Sequence, residues 1–99
     1  MDQHVVELDI VEGRPTIRGE WDLSNASEVA IWLGTFDGEP IELDLSGVTF
    51  LDSSALNVLL SVRRHNPTMR IVTPSPIVSR LLELTGTTDY LMSAQDGHH

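Results

Sequence analysis

The segment Ile41–Leu60, IELDLSGVTFLDSSALNVLL, changes its period halfway along. Ile41, Leu43 and Leu45 alternate with polar residues, as in a strand with one face buried. Glu42 and Asp44 fall on its solvated side. From Ala55 to Val62, six of eight positions are apolar, Ala55, Leu56, Val58, Leu59, Leu60 and Val62. On a helical wheel these cover more than half the circumference, so this helix is largely buried. What is left is a polar stripe of Ser54, Asn57, Ser61 and Arg64. The join between the two periods is Asp52-Ser53-Ser54. Asp is a favoured N-cap, because its carboxylate accepts a backbone N–H of the first turn. Ser53 and Ser54 then occupy the first helical positions, with Ser54 turned outward.

Working outward, the flanking segments complete an α/β pattern. Val5, Val6, Leu8 and Ile10 make one β-rich run, and Thr16, Ile17 and Trp21 another, with Glu12-Gly13 suited to a hairpin turn between them. After Asp22 the period becomes helical: Ala26, Val29, Ala30, Leu33 and Phe36 share a face, and Ile31 lies opposite as an exposed apolar residue of the ordinary kind. Ser24 or Asn25 is the N-cap, the latter with Glu28 as a capping box. FDGEP, 36–40, is turn chemistry. Beyond the central helix, Asn66-Pro67 stops it and MRIVT is a short strand. Ser75 caps a further helix with Pro76 in its first turn and Gly86 as its stop. TTDYLM, 87–92, is expected as a last short strand, and 93–99 as a frayed tail, leaving one domain over 1–92. Strands alternating with helices imply a mixed sheet of four to five strands with three to four helices packed mainly against it.

Composition narrows the function classes. With 15 Asp and Glu against 6 Arg and no Lys, the chain carries a net charge of −9 and repels phosphate backbones, which argues against nucleic acid as a partner. No cysteine is present, so disulfide, thiol and cysteine-zinc chemistry are excluded. No segment approaches the roughly 20 apolar residues of a membrane span, and the first residues lack the features of a signal peptide. A cytoplasmic location is expected.

Enzyme constellations are absent. His4, His65, His98 and His99 share no metal spacing, so neither metal nor cofactor is expected. SGVTF lacks the glycines and lysine of a phosphate loop. A Ser54, His65, Asp52 triad can be assembled on paper, but no nucleophile elbow accompanies it. A hydrolase using Ser54 is therefore the weakest of three readings. A hydroxyl at the start of a helix is instead a good place to carry a phosphate. Free N–H groups and the helix dipole there favour added negative charge by about 1 kcal/mol, against repulsion from Asp52.

These segments together resemble STAS domains of the anti-sigma factor antagonist type. IELDLSGVTFLDSSALNVLL is similar to the family's DLSGVTFLDSSGL signature, IRGEWDLSNASEV to its LxGELDLxxA element, and RIVTPSPIVSRLLELTG to its later strand and helix. The resemblance implies a non-enzymatic switch: unphosphorylated, it binds an anti-sigma factor and so frees a sigma factor. That partner is a serine kinase bringing its own ATP and Mg²⁺. It modifies the second serine of DSS, here Ser54, with Ser53 the second candidate, and a serine phosphatase reverses the step. Asp22 and Asp52 match family positions near the partner-binding surface, and Asn57 and Ser61 extend it along the polar stripe. Ala55 and Asn57 stand where the signature has glycine, Trp21 stands where Leu is usual, and 93–99 has no counterpart of the family's last helix. The competing reading is a STAS scaffold or transporter-associated subunit that binds through the same face without phosphorylation.

Overall fold

A computed structural model describes residues 5–36 and 38–93. The elements run β1 (Val6–Val11), β2 (Arg14–Trp21), α1 (Ala26–Gly34), β3 (Glu42–Leu51), α2 (Ser53–His65), β4 (Arg70–Pro74), α3 (Pro76–Thr85) and α4 (Thr88–Met92). The four strands form one mixed sheet in the order β1-β2-β3-β4. β1 is antiparallel to β2, and β2, β3 and β4 are mutually parallel. The hairpin turns at Glu12-Gly13, where both residues have positive φ, 53° and 76°; this is the twist a two-residue hairpin needs. The parallel pairs are joined through α1 and α2, as parallel strands require.

The alternation read in β3 sorts the two faces of the sheet. Ile17, Trp21, Leu43, Leu45 and Ile71 point to one side and are fully buried there with Val29, Leu33, Leu59, Val78, Leu82 and Leu91 from the helices. The other side is a solvated mosaic of ion pairs. Arg18 reaches Glu7 at 3.3 Å and Asp9 at 3.5 Å, while Glu42 bridges Arg70 at 2.8 Å and Arg14 at 3.3 Å. The hydrogen bond from Arg70, then that from Arg14, lowers the Glu42 pKa below its usual value. Three of the six arginines thus face away from the helical layer.

Two expectations need correction. Residues 88–92 are helical, not a strand. Tyr90, Leu91 and Met92 are consecutive apolar residues without period-2 alternation, and of these only Leu91 is buried. The segment is tied to the helical layer by Arg63, which donates to the carbonyls of Met69 and Tyr90. The Arg63 guanidinium also stacks 4.6 Å from the Tyr90 ring centroid. The capping box at α1 does not form either. Asn25 occupies the N-cap position but makes no side-chain cap bond, because its amide is engaged behind the helix, as described below. The other caps are as expected: Ser75 accepts from the Val78 N–H, and Gly86 ends α3 at φ 71°. Of the expected tail, all but Ser93 lies outside the described residues.

Candidate functional site

The strand-to-helix corner after β3 is built around one carboxylate. Asp52 is extended, with φ −127° and ψ −171°, and its Oδ1 accepts from the N–H groups of Ser54 (2.9 Å) and Ala55 (3.3 Å). The Asp52 backbone carbonyl accepts the Leu56 N–H. The cap expected from the sequence is therefore present, with a consequence the sequence did not give: the first-turn N–H groups of Ser54 and Ala55 are already taken. A phosphate on Ser54 would meet a terminus whose Ser54 and Ala55 N–H groups are already engaged. Ser53 is exposed, Ser54 half-buried, and Ala55 fully buried beneath them. Ser54 is thus accessible but more recessed than the helical wheel suggests.

The second oxygen of Asp52 reaches a different element. Its Oδ2 accepts the Leu23 N–H at 3.2 Å, joining the start of α2 to the loop between β2 and α1. That loop is held from within as well. Asp22 Oδ1 accepts from both the N–H and the hydroxyl of Ser24, at 2.9 and 2.6 Å. Asn25 Oδ1 accepts the Asp22 N–H at 3.0 Å, and Asn25 Nδ2 donates to the Glu20 carbonyl at 2.8 Å. Asp22 and Asn25 are both buried. The loop they shape presents Leu23, 76% exposed, to solvent.

The structure thus brings Asp22, Asp52 and Ser54 into one corner, with the two aspartates shaping the backbone. Asn57 and Ser61 follow Ser54 along α2 and line a groove of about 420 Å³ between α1 and α2. His65 is not near Ser54. It lies eleven residues farther along the same helix, about 16 Å at 1.5 Å per residue, and its Nδ1 contacts the Ser61 carbonyl at 2.8 Å. With Asp52 facing the backbone, the paper triad is not assembled. Among the described residues no group of three or more His, Asp or Glu is placed to hold a metal ion, and no helix is long and apolar enough to cross a membrane.

Sequence reasoning missed two residues. Leu23 lies in a loop and off every periodic face, so no pattern marked it. Arg63, 3% exposed, sits in an Arg63-Arg64-His65 run that reads as basic residues at a helix C-terminus. Its burial is set by where α4 docks.

Comparison with known proteins places this corner in context. No curated protein matches the chain. Among solved structures, one described as the anti-sigma factor antagonist SpoIIAA in its unphosphorylated form superposes with a TM-score of 0.66, covering 93% of this chain and 90% of that one at 19% identity. At that identity the likeness shows a shared fold. The family described as "Mlab, STAS domain" matches residues 5–93. That match takes in every strand and helix described above, from β1 to α4, and the chain belongs to the STAS domain family.

Proposed function

We propose that this STAS domain is an anti-sigma factor antagonist acting in the cytoplasm, switched by phosphorylation of Ser54. The observation that carries the reading is the Asp52–Ser54 corner. It is a solvent-reachable hydroxyl in the first turn of α2, on a backbone fixed by a carboxylate cap and beside a rigid, exposed loop. In the unphosphorylated state this surface binds an anti-sigma factor of the serine kinase type, which releases its sigma factor. The kinase, with bound ATP and Mg²⁺, transfers the γ-phosphoryl group to Ser54 Oγ. ADP leaves, and the hydroxyl proton passes to a base of the kinase. The product carries about −1.5 to −2 additional charge next to Asp52, and the partner is released. A serine phosphatase restores the binding form by hydrolysis.

The test is capture of partners on the unphosphorylated protein, followed by incubation of the captured kinase with ATP and mapping of phosphate by mass spectrometry. Labelling at Ser54 that disappears in Ser54→Ala, with binding lost in Ser54→Asp, is the expected result. Continued labelling of Ser54→Ala sinks the site assignment, and wild-type binding by Ser54→Asp sinks the switch. A scaffold or transporter-associated role is the second reading. It is favoured by the recessed position of Ser54 above a buried Ala55 and predicts capture of a transporter ATP-binding subunit instead of a kinase.

A further inference from the structure

Exposed apolar side chains are common on protein surfaces, and this domain has others, among them Ile31 and Leu84, which are 73% and 74% exposed. Leu23 differs from those two in what holds it. Ile31 and Leu84 ride on the outer faces of α1 and α3. Leu23 is an exposed residue of a loop whose neighbours are fixed by four side-chain hydrogen bonds involving Asp22 and Asn25. Its own N–H is held by Asp52, the residue that also holds the Ser54 N–H. One carboxylate therefore sets the distance between an exposed leucine and the hydroxyl proposed to be modified.

Pre-ordering of this kind has a thermodynamic meaning. Association is opposed by the ordering of loops and side chains, and a loop already fixed in the free protein removes that cost. Interfaces concentrate their energy in a few residues that fill pockets on the partner. A rigid loop offering a single apolar side chain one hydrogen-bonded residue away from the acceptor serine has the form of such a residue.

Building on the function proposed above, we propose that Leu23 is an anchor of the partner interface. It fills an apolar pocket on the anti-sigma kinase adjacent to the one that receives Ser54. Asp52 acts as a positioning residue: it sets the spacing of Leu23 and Ser54 through its two oxygens. The partner so defined is a protein kinase whose substrate surface carries an apolar socket beside its active site.

The experiment uses the full chain and the kinase captured by the wild-type protein, with Ser54 phosphorylation followed at varied substrate concentration. Leu23→Ala is expected to raise KM at least tenfold and leave kcat within twofold. Leu23→Met should restore most of the loss, and both variants should keep the wild-type Tm, since the side chain is exposed. In the Leu23→Ala background, Asp52→Asn is expected to raise KM by less than threefold further, because its effect runs through Leu23. If wild type is labelled at Ser54 and Leu23→Ala shows an unchanged KM, this inference fails alone. If Asp52→Asn costs the same with and without Leu23, the positioning role fails. If wild type is not labelled by any captured kinase, the functional reading falls and this inference with it.

Discussion

Replacing Asp52 with alanine withdraws three hydrogen bonds at once, from the N–H groups of Ser54 (2.9 Å), Ala55 (3.3 Å) and Leu23 (3.2 Å). Loss of an N-cap side chain costs about 0.5–2 kcal/mol. The bond to Leu23 adds about 0.5–1.5 kcal/mol, at the lower end because it lies near solvent. Relief of repulsion in a molecule of net charge −9 works the other way, but it is offset by the lost attraction between the carboxylate and the helix N-terminus, about 0.3–1 kcal/mol. The expected net loss is about 2 kcal/mol, or roughly 8–16 °C in Tm for a domain of this size. Asp52→Asn separates the two duties. Asparagine is as good a cap as aspartate, but it has one acceptor oxygen, and its NH₂ would face the Leu23 N–H donor to donor. It should lose about 1 kcal/mol, with the helix start intact. Ser53→Ala, at an exposed position, is the control and should stay within about 0.5 kcal/mol of wild type. Urea denaturation followed by circular dichroism gives all three values, provided the m-value is unchanged. An alanine variant within 0.5 kcal/mol of wild type, or an asparagine variant as unstable as the alanine one, would refute the two-oxygen account.

Three further outcomes follow from other parts of the fold. Gly19 has φ +94°, and a Cβ there would come within 2.5 Å of the Val5 carbonyl oxygen; Gly19→Ala should lose about 2 kcal/mol or more in urea denaturation as the start of β1 is pushed away. Arg63→Met keeps the aliphatic bulk but strips the donors from the carbonyls of Met69 and Tyr90. It should cost about 2–4 kcal/mol and accelerate amide exchange over 88–92 before the rest of the core; uniform exchange across the chain would contradict this role. Glu42 has a lowered pKa, chiefly from its hydrogen bond to Arg70. A depressed acid pKa gives stability that is present above the unfolded value of 4.5 and is lost as pH falls through the folded value. Glu42→Gln should therefore flatten the stability–pH curve below about pH 4.5 and leave it unchanged in 1 M salt, where exposed pairs are screened; an effect of equal size at high salt would point to packing instead.

The fold was legible where side-chain period and local chemistry agreed. Ile41, Leu43 and Leu45 announce a one-sided strand, and Asp52 and Ser75 announce the starts of α2 and α3. What was not legible depended on long-range partners. Asn25 looks like a capping residue, but its amide serves Asp22 and Glu20 instead, a choice between local and tertiary hydrogen bonds that spacing does not decide. The run 88–92 has β-compatible residues, yet it is helical because α3 ends at Gly86 and Arg63 binds Tyr90 from 27 residues away. Trp21 illustrates the same limit. It packs fully buried in the core, and its indole N–H has no hydrogen-bond partner among the described residues, so the position asks for apolar volume and makes no use of the polar atom. At the site, the Asp52 cap could be read from three adjacent residues. The link from Asp52 to Leu23 could not, because it joins positions 29 residues apart.

That link bears on how a phosphate at Ser54 would act. At most helix starts an added phosphate is drawn to open N–H groups, and the modification then reorganises the first turn. Here Asp52 already accepts from the Ser54 and Ala55 N–H groups, and displacing it would also release the Leu23 N–H. A phosphate of charge about −1.5 to −2 and a carboxylate roughly 6 Å apart repel by about 1–1.4 kcal/mol in bulk water and about 4–5.5 kcal/mol at an effective dielectric of 20. Beside solvent the repulsion lies toward the lower figure, below the about 2 kcal/mol that the three hydrogen bonds made by Asp52 are worth, and a phosphate can lower it further by turning into solvent without breaking them. The lower-energy response is thus an unchanged corner with an anion projecting from it. A switch built this way needs no conformational transition in the domain: the same rigid surface is offered before and after modification, and what changes is the charge that a partner must accommodate beside Leu23.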